Sequence, residues 1–331
     1  MNIKYASFKQ QSIQDCIDIG ETLFIEAKVY FGHGTDNAAD EALWLVFYQL
    51  GLTWDAEESV LQQIVSERNY ASIMALYERR IQERIPAAYL TGEAWFAGLA
   101  FIVNPDVLVP RSPLAELINL QFDPWIDASL INDCTDSGTE IGTDSSTNGE
   151  IKTETTKPLS ILDLCTGSGC IGIASAIYIE HSRVVLSDIS AEAIDVARQN
   201  IERYQLESRV SAVISDLFTD IPRQEFDLIV SNPPYVDAND LAEMPLEYHA
   251  EPILGLASGG DGLDFTRRLL RAAPDYLSEK GVLIVEVGNS WVNLEAAFPQ
   301  ISFLWLEFEF GGHGVMVMTK AELIAHRALF V

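Results

Sequence analysis

The sequence predicts an α/β protein: a largely parallel sheet covered on both faces, preceded by a helical domain. Three observations carry that expectation. From Leu159 onward, short β-prone apolar runs alternate with segments of helical spacing, the pattern of a parallel sheet buried between helices. Between about residues 10 and 90, apolar residues recur at three- and four-residue spacing without strand-like alternation. A glycine-rich turn, Gly167-Ser168-Gly169-Cys170-Ile171-Gly172, joins the first run after Leu159 to its helix.

In the N-terminal part, Ile13 and Ile17, then Leu43, Val46, Phe47 and Leu50, mark helical faces. Leu61 and Ile64, then Ile73, Leu76 and Tyr77, continue the pattern. The texture changes at Pro86. Residues 94–109 carry two β-prone runs around Gly98 and Asn104-Pro105, which predicts a hairpin. Ser112-Pro113 then opens a helix, because serine caps free amides and proline at the first position loses no needed donor. The expected domains are a helical substrate-recognition domain over 1–92, a hairpin and connecting helix over 93–122, an insertion over 123–158, and a catalytic domain over 159–331.

Residues 123–158 hold eight acidic and two basic residues, many Ser, Thr and Gly, and few large apolar side chains. Such a segment reads as a flexible surface insertion. Beyond it, strands are expected at 161–164, 184–187, 210–214, 226–231, 282–287, 303–308 and 315–319. Helices are expected at 170–180 and 190–204. Ligands bind such sheets at the carboxyl ends of the strands, near the switch in strand order.

Composition narrows the function. The 331 residues carry a formal net charge of −28, which repels phosphate and disfavours both sequence-specific nucleic-acid binding and anionic membranes. A charge of this size serves solubility or a basic partner. Cys16, Cys134, Cys165 and Cys170 have no metal-ligand spacing, and the histidines form no HExxH pattern, so no metal is expected. The N-terminus MNIKYASFKQ lacks the apolar run of a signal peptide, and no stretch is long enough to span a bilayer. A cytoplasmic protein is the expectation.

Four motifs carry chemistry. Asp163-Leu164-Cys165-Thr166-Gly167-Ser168-Gly169-Cys170-Ile171-Gly172 follows a strand and opens a helix, so its backbone can turn tightly and approach a nucleotide-like ligand. Its spacing also satisfies G-x-G-x-x-G, which leaves a dinucleotide site open. Asp188, at the end of the next strand and 19 residues past Gly169, suits two ribose hydroxyls, while Ser190 suits the helix cap. Ser215-Asp216-Leu217-Phe218 follows the third strand, where Asp216 and Leu217 suit an exocyclic amine and the face of adenine, or a plain turn.

The fourth motif is Asn232-Pro233-Pro234-Tyr235 at the end of the strand 226–231. Two prolines remove two donors and leave the carbonyls before them free to accept. The Asn232 side-chain oxygen and the Pro233 main-chain oxygen can take the two N–H groups of a planar NH₂, and Tyr235 can stack on it. That arrangement holds a poor amide nucleophile in line with a methyl donor and favours the charge that grows on nitrogen.

Together, the glycine loop, Asp188 and the Asn-Pro-Pro-Tyr motif resemble the class I S-adenosylmethionine-dependent methyltransferases. The run Arg84-Ile-Pro-Ala-Ala-Tyr-Leu-Thr-Gly-Glu93, then Trp95-Phe96, then Val109-Pro110-Arg111-Ser112-Pro113-Leu-Ala-Glu116-Leu-Ile118 is similar to the protein glutamine N(5)-methyltransferases. The PRSPLAELI segment resembles the branch that methylates a glutamine of large-subunit ribosomal protein L-three. Glu251-Pro252, Leu256-Ala257 and Gly259-Gly260-Asp261-Gly262 also fit the family.

The resemblance implies a Rossmann-like seven-stranded sheet with its last strand antiparallel, behind an N-terminal helical domain. It implies S-adenosylmethionine held by Asp163, Cys165, Thr166, Gly167, Ser168, Gly169, Asp188, Asp216 and Leu217. It implies a glutamine amide bound by Asn232, Pro233, Pro234 and Tyr235, with Asn232 and Pro233 catalytic. A basic ribosomal protein as substrate suits the acidity. Release-factor glutamine and nucleic-acid adenine are the alternative acceptors. Cys165 stands where the family commonly has the first glycine of the loop, and the insertion departs from the family.

Overall fold

A computed structural model describes residues 10–126 and 157–330. The chain divides into two compact units, Met1–Arg111 with Asn239–Gly255, and Ser112–Ala238 with Leu256–Val331. The expected connector over 93–122 is thereby divided, its hairpin going to the first unit and its helix to the second. Of the expected insertion, 127–156 lies outside the described residues. Residues 123–126 form turns, and Ile126 is buried.

In the first unit the helical spacing yields α1 (Ile13–Glu26), α2 (Ala38–Leu50), α3 (Glu67–Gln82) and the short α4 (Ala87–Thr91). Each long helix starts on a capping side chain, Ser12, Asn37 or Ser66. The buried face of α1 is Ile13, Cys16, Ile17, Gly20 and Phe24. Tyr77 of α3 is fully buried and donates its hydroxyl to the carbonyls of Cys16 (3.1 Å) and Ala42 (3.3 Å), so one side chain joins all three helices. Gly20 makes this possible, since a Cβ there would lie 2.4 Å from the Tyr77 ring. Leu61 and Ile64 depart from expectation. Glu58–Gln62 is a single 3₁₀ turn, and Ile64 pairs with Ser12 in an isolated bridge. The predicted hairpin is present as β1 (Glu93–Phe96) and β2 (Leu99–Ile102), turning at Ala97-Gly98.

Residues 239–255 complete this unit with inverted polarity. Glu247 and Glu251 are buried at 2% and 3% exposure, while Leu246, Ile253 and Leu254 stand in solvent. Glu247 Oε1 accepts from Tyr30 N (3.0 Å), Arg80 (3.3 Å) and Arg84 (3.1 Å). Arg80, itself fully buried, also donates to Glu41. Glu251 accepts from Val109 N (3.0 Å) and, on both oxygens, from the Arg111 fork (2.6 and 2.5 Å), with His33 at 3.6 Å. Its carboxyl is held down at about 2. Burial alone would raise it, and the hydrogen bonds and charges of His33 and Arg111 overcome that.

The second unit is a seven-stranded sheet ordered β5-β4-β3-β6-β7-β9-β8. Its strands are β3 (Leu159–Leu164), β4 (Ser182–Asp188), β5 (Val210–Ile214), β6 (Phe226–Ser231), β7 (Leu277–Glu286), β8 (Leu304–Trp305) and β9 (Val315–Thr319). The first five are parallel, and β9 runs antiparallel to both β7 and β8. Strand composition matches position. Central β3, β6 and the second half of β7 are almost wholly buried, whereas β5 at the edge is mixed. The helices Cys170–Tyr178 and Ala191–Arg203 follow β3 and β4, as the alternation predicts.

Two strands differ from the sequence reading. β7 begins at Leu277, with a register shift against β6 between Phe226 and Leu228. The strand expected over 303–308 is only Leu304–Trp305, because beyond the Leu306 N–Val315 O bond (2.9 Å) the amides of Glu309 and Phe310 bond Glu116. Among the described residues, no helix is long and apolar enough to cross a membrane.

The Glu251 cluster yields a stability prediction. Its folded-state pKa lies below the ordinary value, so its contribution is present above about pH 4.5 and is lost as pH falls towards about 2. Glu251→Gln should cost about 3 kcal/mol at pH 7, on the scale of a broken buried pair. Urea unfolding at a series of pH values should show the gap to wild type closing between about pH 4.5 and 2. A gap that does not change over that range would remove the ion pair as its source.

Candidate functional site

The order of the strands switches direction between β3 and β6, and their carboxyl ends are level. Leu164 is opposite Ser231, and Ser231 Oγ donates to the Leu164 carbonyl at 2.8 Å. The glycine loop leaves one of these ends and the Asn-Pro-Pro-Tyr motif leaves the other. The switch point of an open parallel sheet is where a crevice forms.

The glycine loop is built by left-handed backbone at Cys165 (φ 57°), Gly167 (φ 53°) and Gly169 (φ 83°). Glycine adopts this conformation without cost, whereas Cys165 is strained by about 1 kcal/mol. A Cβ at Gly167 would meet no heavy atom within 4 Å, so that turn borders open space. A Cβ at Gly172 would lie 2.2 Å from Leu186, so the helix Cys170–Tyr178 can pass the sheet only with glycine there. Burial raises the thiols of both Cys165 and Cys170, the latter to about 12, so neither supplies a thiolate at neutral pH.

Asp163 is wholly buried beneath this loop. Its Oδ2 accepts from Thr166 Oγ1 (2.5 Å) and Gly172 N (2.9 Å), which ties the loop to the start of the helix. Its Oδ1 is buried with no hydrogen-bond partner among the described residues. Burial pushes its pKa up to about 7, against the downward pull of those two hydrogen bonds. Asp163 therefore shapes the loop from behind. Ser168 contributes its carbonyl, which accepts from Asn200 at 2.8 Å.

Asp188 ends β4 and faces the same loop. One oxygen accepts from Gly167 N (2.9 Å) and the other from Ser190 N (3.0 Å). Ser190 caps the following helix by accepting from Ala193 N (3.1 Å), as expected. Each Asp188 oxygen keeps a further lone pair for a hydroxyl donor. Burial raises its pKa.

Ser215 N bonds the Asp188 carbonyl at 2.8 Å, which brings the Ser215–Phe218 turn beside that strand end. The carboxylate of Asp216 takes Arg268 at 2.8 and 2.7 Å. Leu217 (φ 53°) is 8% exposed and packs into the apolar core with Phe218 and Leu270. The expectation that the Leu217 side chain meets a ligand face is thus at odds with a side chain spent on the core.

At the end of β6, Pro233 is buried, and Asn232, Pro234 and Tyr235 are half-buried. Among the described residues, none hydrogen-bonds the Asn232 carboxamide or donates to the Pro233 carbonyl. Tyr235 is held firmly. Its hydroxyl donates to Glu286 Oε1 (3.0 Å), its carbonyl accepts from Ser290 Oγ (2.6 Å), and Gly288 lies so close that a Cβ would be 2.5 Å from the ring. Glu286, buried at the end of β7, also accepts from Ser112 Oγ at 2.5 Å. Ser112 accepts in turn from Leu114 N (3.2 Å), but α5 (Leu114–Asn119) begins one residue later than the sequence predicts, with Pro113 rather than Ser112 at its N-cap position.

Sequence reasoning missed Glu286, Gly288 and Ser290. The available signal was the lone acid closing the apolar run Val282-Leu-Ile-Val285.

The Asp163 environment gives a second prediction. A raised carboxyl pKa means that the folded state holds its proton more tightly than the unfolded chain. The group's favourable contribution is therefore greatest below about pH 4 and is lost as pH rises to about 7. Asp163→Asn should gain stability relative to wild type across that window, by a few kcal/mol at most, and run parallel above it. Denaturation from pH 5 to 8 measures the difference. Parallel curves from pH 5 upward would mean that Asp163 stays ionised.

Comparison with known proteins adds the following. Residues 143–247 match a family model described as the methyltransferase small domain. A ribosomal protein uL3 glutamine methyltransferase of Francisella tularensis is 41% identical over 334 residues, covering 98% of each chain. One from Xanthomonas campestris is 43% identical over 323 residues, covering 98% of this chain and 96% of its own. A solved methyltransferase from Pyrococcus furiosus matches 77% of this chain and 99% of its own at 15% identity, with a TM-score of 0.42.

Proposed function

The chain belongs to the ribosomal protein uL3 glutamine methyltransferases, and on that footing we propose how its residues divide the work of transferring a methyl group from S-adenosylmethionine to the side-chain amide of a glutamine in uL3. The nucleic-acid and release-factor alternatives have no comparable support. The net charge of −28 favours a basic protein partner and disfavours direct contact with nucleic acid. A cytoplasmic setting agrees with that substrate.

S-adenosylmethionine, when bound, supplies an electrophilic methyl group on sulfonium. The glycine loop suits such a cofactor on two counts. Gly167 borders open space, and Asp188 offers two buried-side oxygens with capacity to spare beside it. Asp188 then accepts from ribose hydroxyls, while Cys165, Thr166, Gly167, Ser168 and Gly169 present backbone to the ligand. Asp163 sets the shape of that loop without being exposed itself. For Asp216 and Leu217 the contribution is through their backbone, since one side chain pairs with Arg268 and the other is core.

The acceptor end is Asn232 to Tyr235. The observation that carries the reading is that Asn232 keeps its side-chain oxygen, and Pro233 its carbonyl, without a donor among the described residues. Two fixed acceptors take the two N–H groups of the glutamine amide and hold its nitrogen in one orientation. As nitrogen gains the methyl carbon it becomes positive before shedding a proton, and both oxygens bind that state more strongly than the neutral amide. The Tyr235 ring covers the flat amide, and Glu286 and Ser290 fix the ring. The helical unit serves substrate recognition in this scheme.

Asn232→Ala should lower uL3 methylation by about two to three decades, the scale of losing one donor or acceptor aimed at developing charge. S-adenosylhomocysteine affinity, read by calorimetry, should stay within a few-fold of wild type. Near-normal turnover would remove Asn232 from the mechanism. Lost affinity together with lost activity would make it a cofactor residue.

A further inference from the structure

Phe310 is 85% exposed, the most exposed of the large apolar side chains described. A single surface phenylalanine needs no explanation by itself. The turn that carries it does. Glu116 accepts the amides of both Glu309 (2.9 Å) and Phe310 (3.0 Å) on its two carboxylate oxygens. Gly311, Gly312 and Gly314 follow at φ of 86°, 103° and 74°. The glycines let the chain turn sharply, and Glu116 clamps the backbone at Glu309 and Phe310 while the ring is left in water, which is how an anchor is preorganised.

The turn is also joined to the residues around Tyr235. The Gly314 carbonyl accepts from Val287 N, and a Cβ at Gly314 would lie 2.1 Å from the Gly288 carbonyl oxygen. Gly288 in turn lies against the Tyr235 ring. His313 pairs with Asn289 at 2.9 Å. On the other side, a Cβ at Gly312 would be 2.8 Å from Pro113, the neighbour of the serine that holds Glu286. The turn is therefore built onto the same wall that fixes Tyr235. Glu307 and Glu309 beside Phe310 are exposed and acidic.

We propose that Phe310 is a specificity anchor for the protein substrate, its ring packing on an apolar side chain within a few residues of the modified glutamine, with Glu307 and Glu309 facing basic residues of the same segment. The proposal rests on the reading that the substrate is a basic protein. It adds a residue that touches substrate outside the Asn-Pro-Pro-Tyr motif and explains why so exposed a ring sits on so constrained a turn. Glu116, on this account, is a positioning residue that acts through the Phe310 backbone.

The test compares wild type, Phe310→Ser, Phe310→Leu and Glu116→Gln with purified uL3 in steady-state methylation. Each is also titrated with S-adenosylhomocysteine and melted. Phe310→Ser should raise KM for uL3 by about tenfold or more, the effect of removing one aromatic anchor, with kcat near wild type. Its S-adenosylhomocysteine affinity should stay within twofold. Phe310→Leu should recover part of the loss, and Glu116→Gln should raise KM with Phe310 intact. Unchanged KM in Phe310→Ser would overturn the proposal, as would a loss confined to kcat. A parallel fall in cofactor affinity would assign Phe310 to the fold instead. Failure of wild type to methylate uL3 would count against the substrate reading itself, whereas equal activity of wild type and Phe310→Ser counts against the anchor alone.

Discussion

The level register of β3 and β6 is the constraint on which the rest of the site depends. Leu164 and Ser231 are cross-strand partners, and the Ser231 hydroxyl closes onto the Leu164 carbonyl. Two unrelated local sequences, a glycine turn and a proline-fixed turn, therefore start from the same level of the sheet. A slip of one residue would turn every side chain of a strand to its opposite face. Both strands are buried on both faces, so close packing on the two sides, rather than an apolar–polar alternation, holds that register and with it the spacing of the two turns.

Around that level edge the protein spends charge in two ways. Asp163 and Asp188 are carboxylates whose pKa burial raises, yet their oxygens accept backbone amides of the turn or of the helix that follows. Their work is to hold an unfavourable backbone shape. Glu286 works beside the Asn-Pro-Pro-Tyr turn, where it accepts from a tyrosine hydroxyl and a serine hydroxyl together. The Asn232 and Pro233 oxygens, by contrast, have no donor among the described residues. Carboxylates tied by hydrogen bonds thus stand near two acceptors that lack a donor among the described residues.

Much of this was legible in the sequence because it is local. Glycine spacing after a strand, an Asp at the end of the next strand, and two prolines after an Asn all act within a few residues. What stayed hidden depends on distant partners. Ser112 and Glu286 are 174 residues apart, and Asp216 and Arg268 are 52 apart. Leu217 read as a ligand contact because its burial depends on a left-handed φ that its sequence does not announce. The strand expected at 303–308 was cut short by Glu116, which competes for the amides of Glu309 and Phe310. Glu247 and Glu251, four apart in sequence, both point inward to arginines from the first stretch of the unit.

That last inversion bears on how such a protein can be recombined. The helical unit is written in two stretches of chain, and the second supplies Glu247 to Arg80 and Arg84 and Glu251 to Arg111 and His33, while Arg80 also pairs with Glu41 of the first. The Val236–Ala257 bridge pinches that second stretch at its root, with Val236 N on Leu256 O at 2.8 Å and Ser258 N on Val236 O at 3.0 Å. A single crossover near residue 111 would deliver Arg80, Arg84 and Arg111 to a new host without the Glu247 and Glu251 they are fitted to. Exchange of the helical unit between relatives therefore takes two matched crossovers, and a chimera must carry residues 239–255 along with the N-terminal helices.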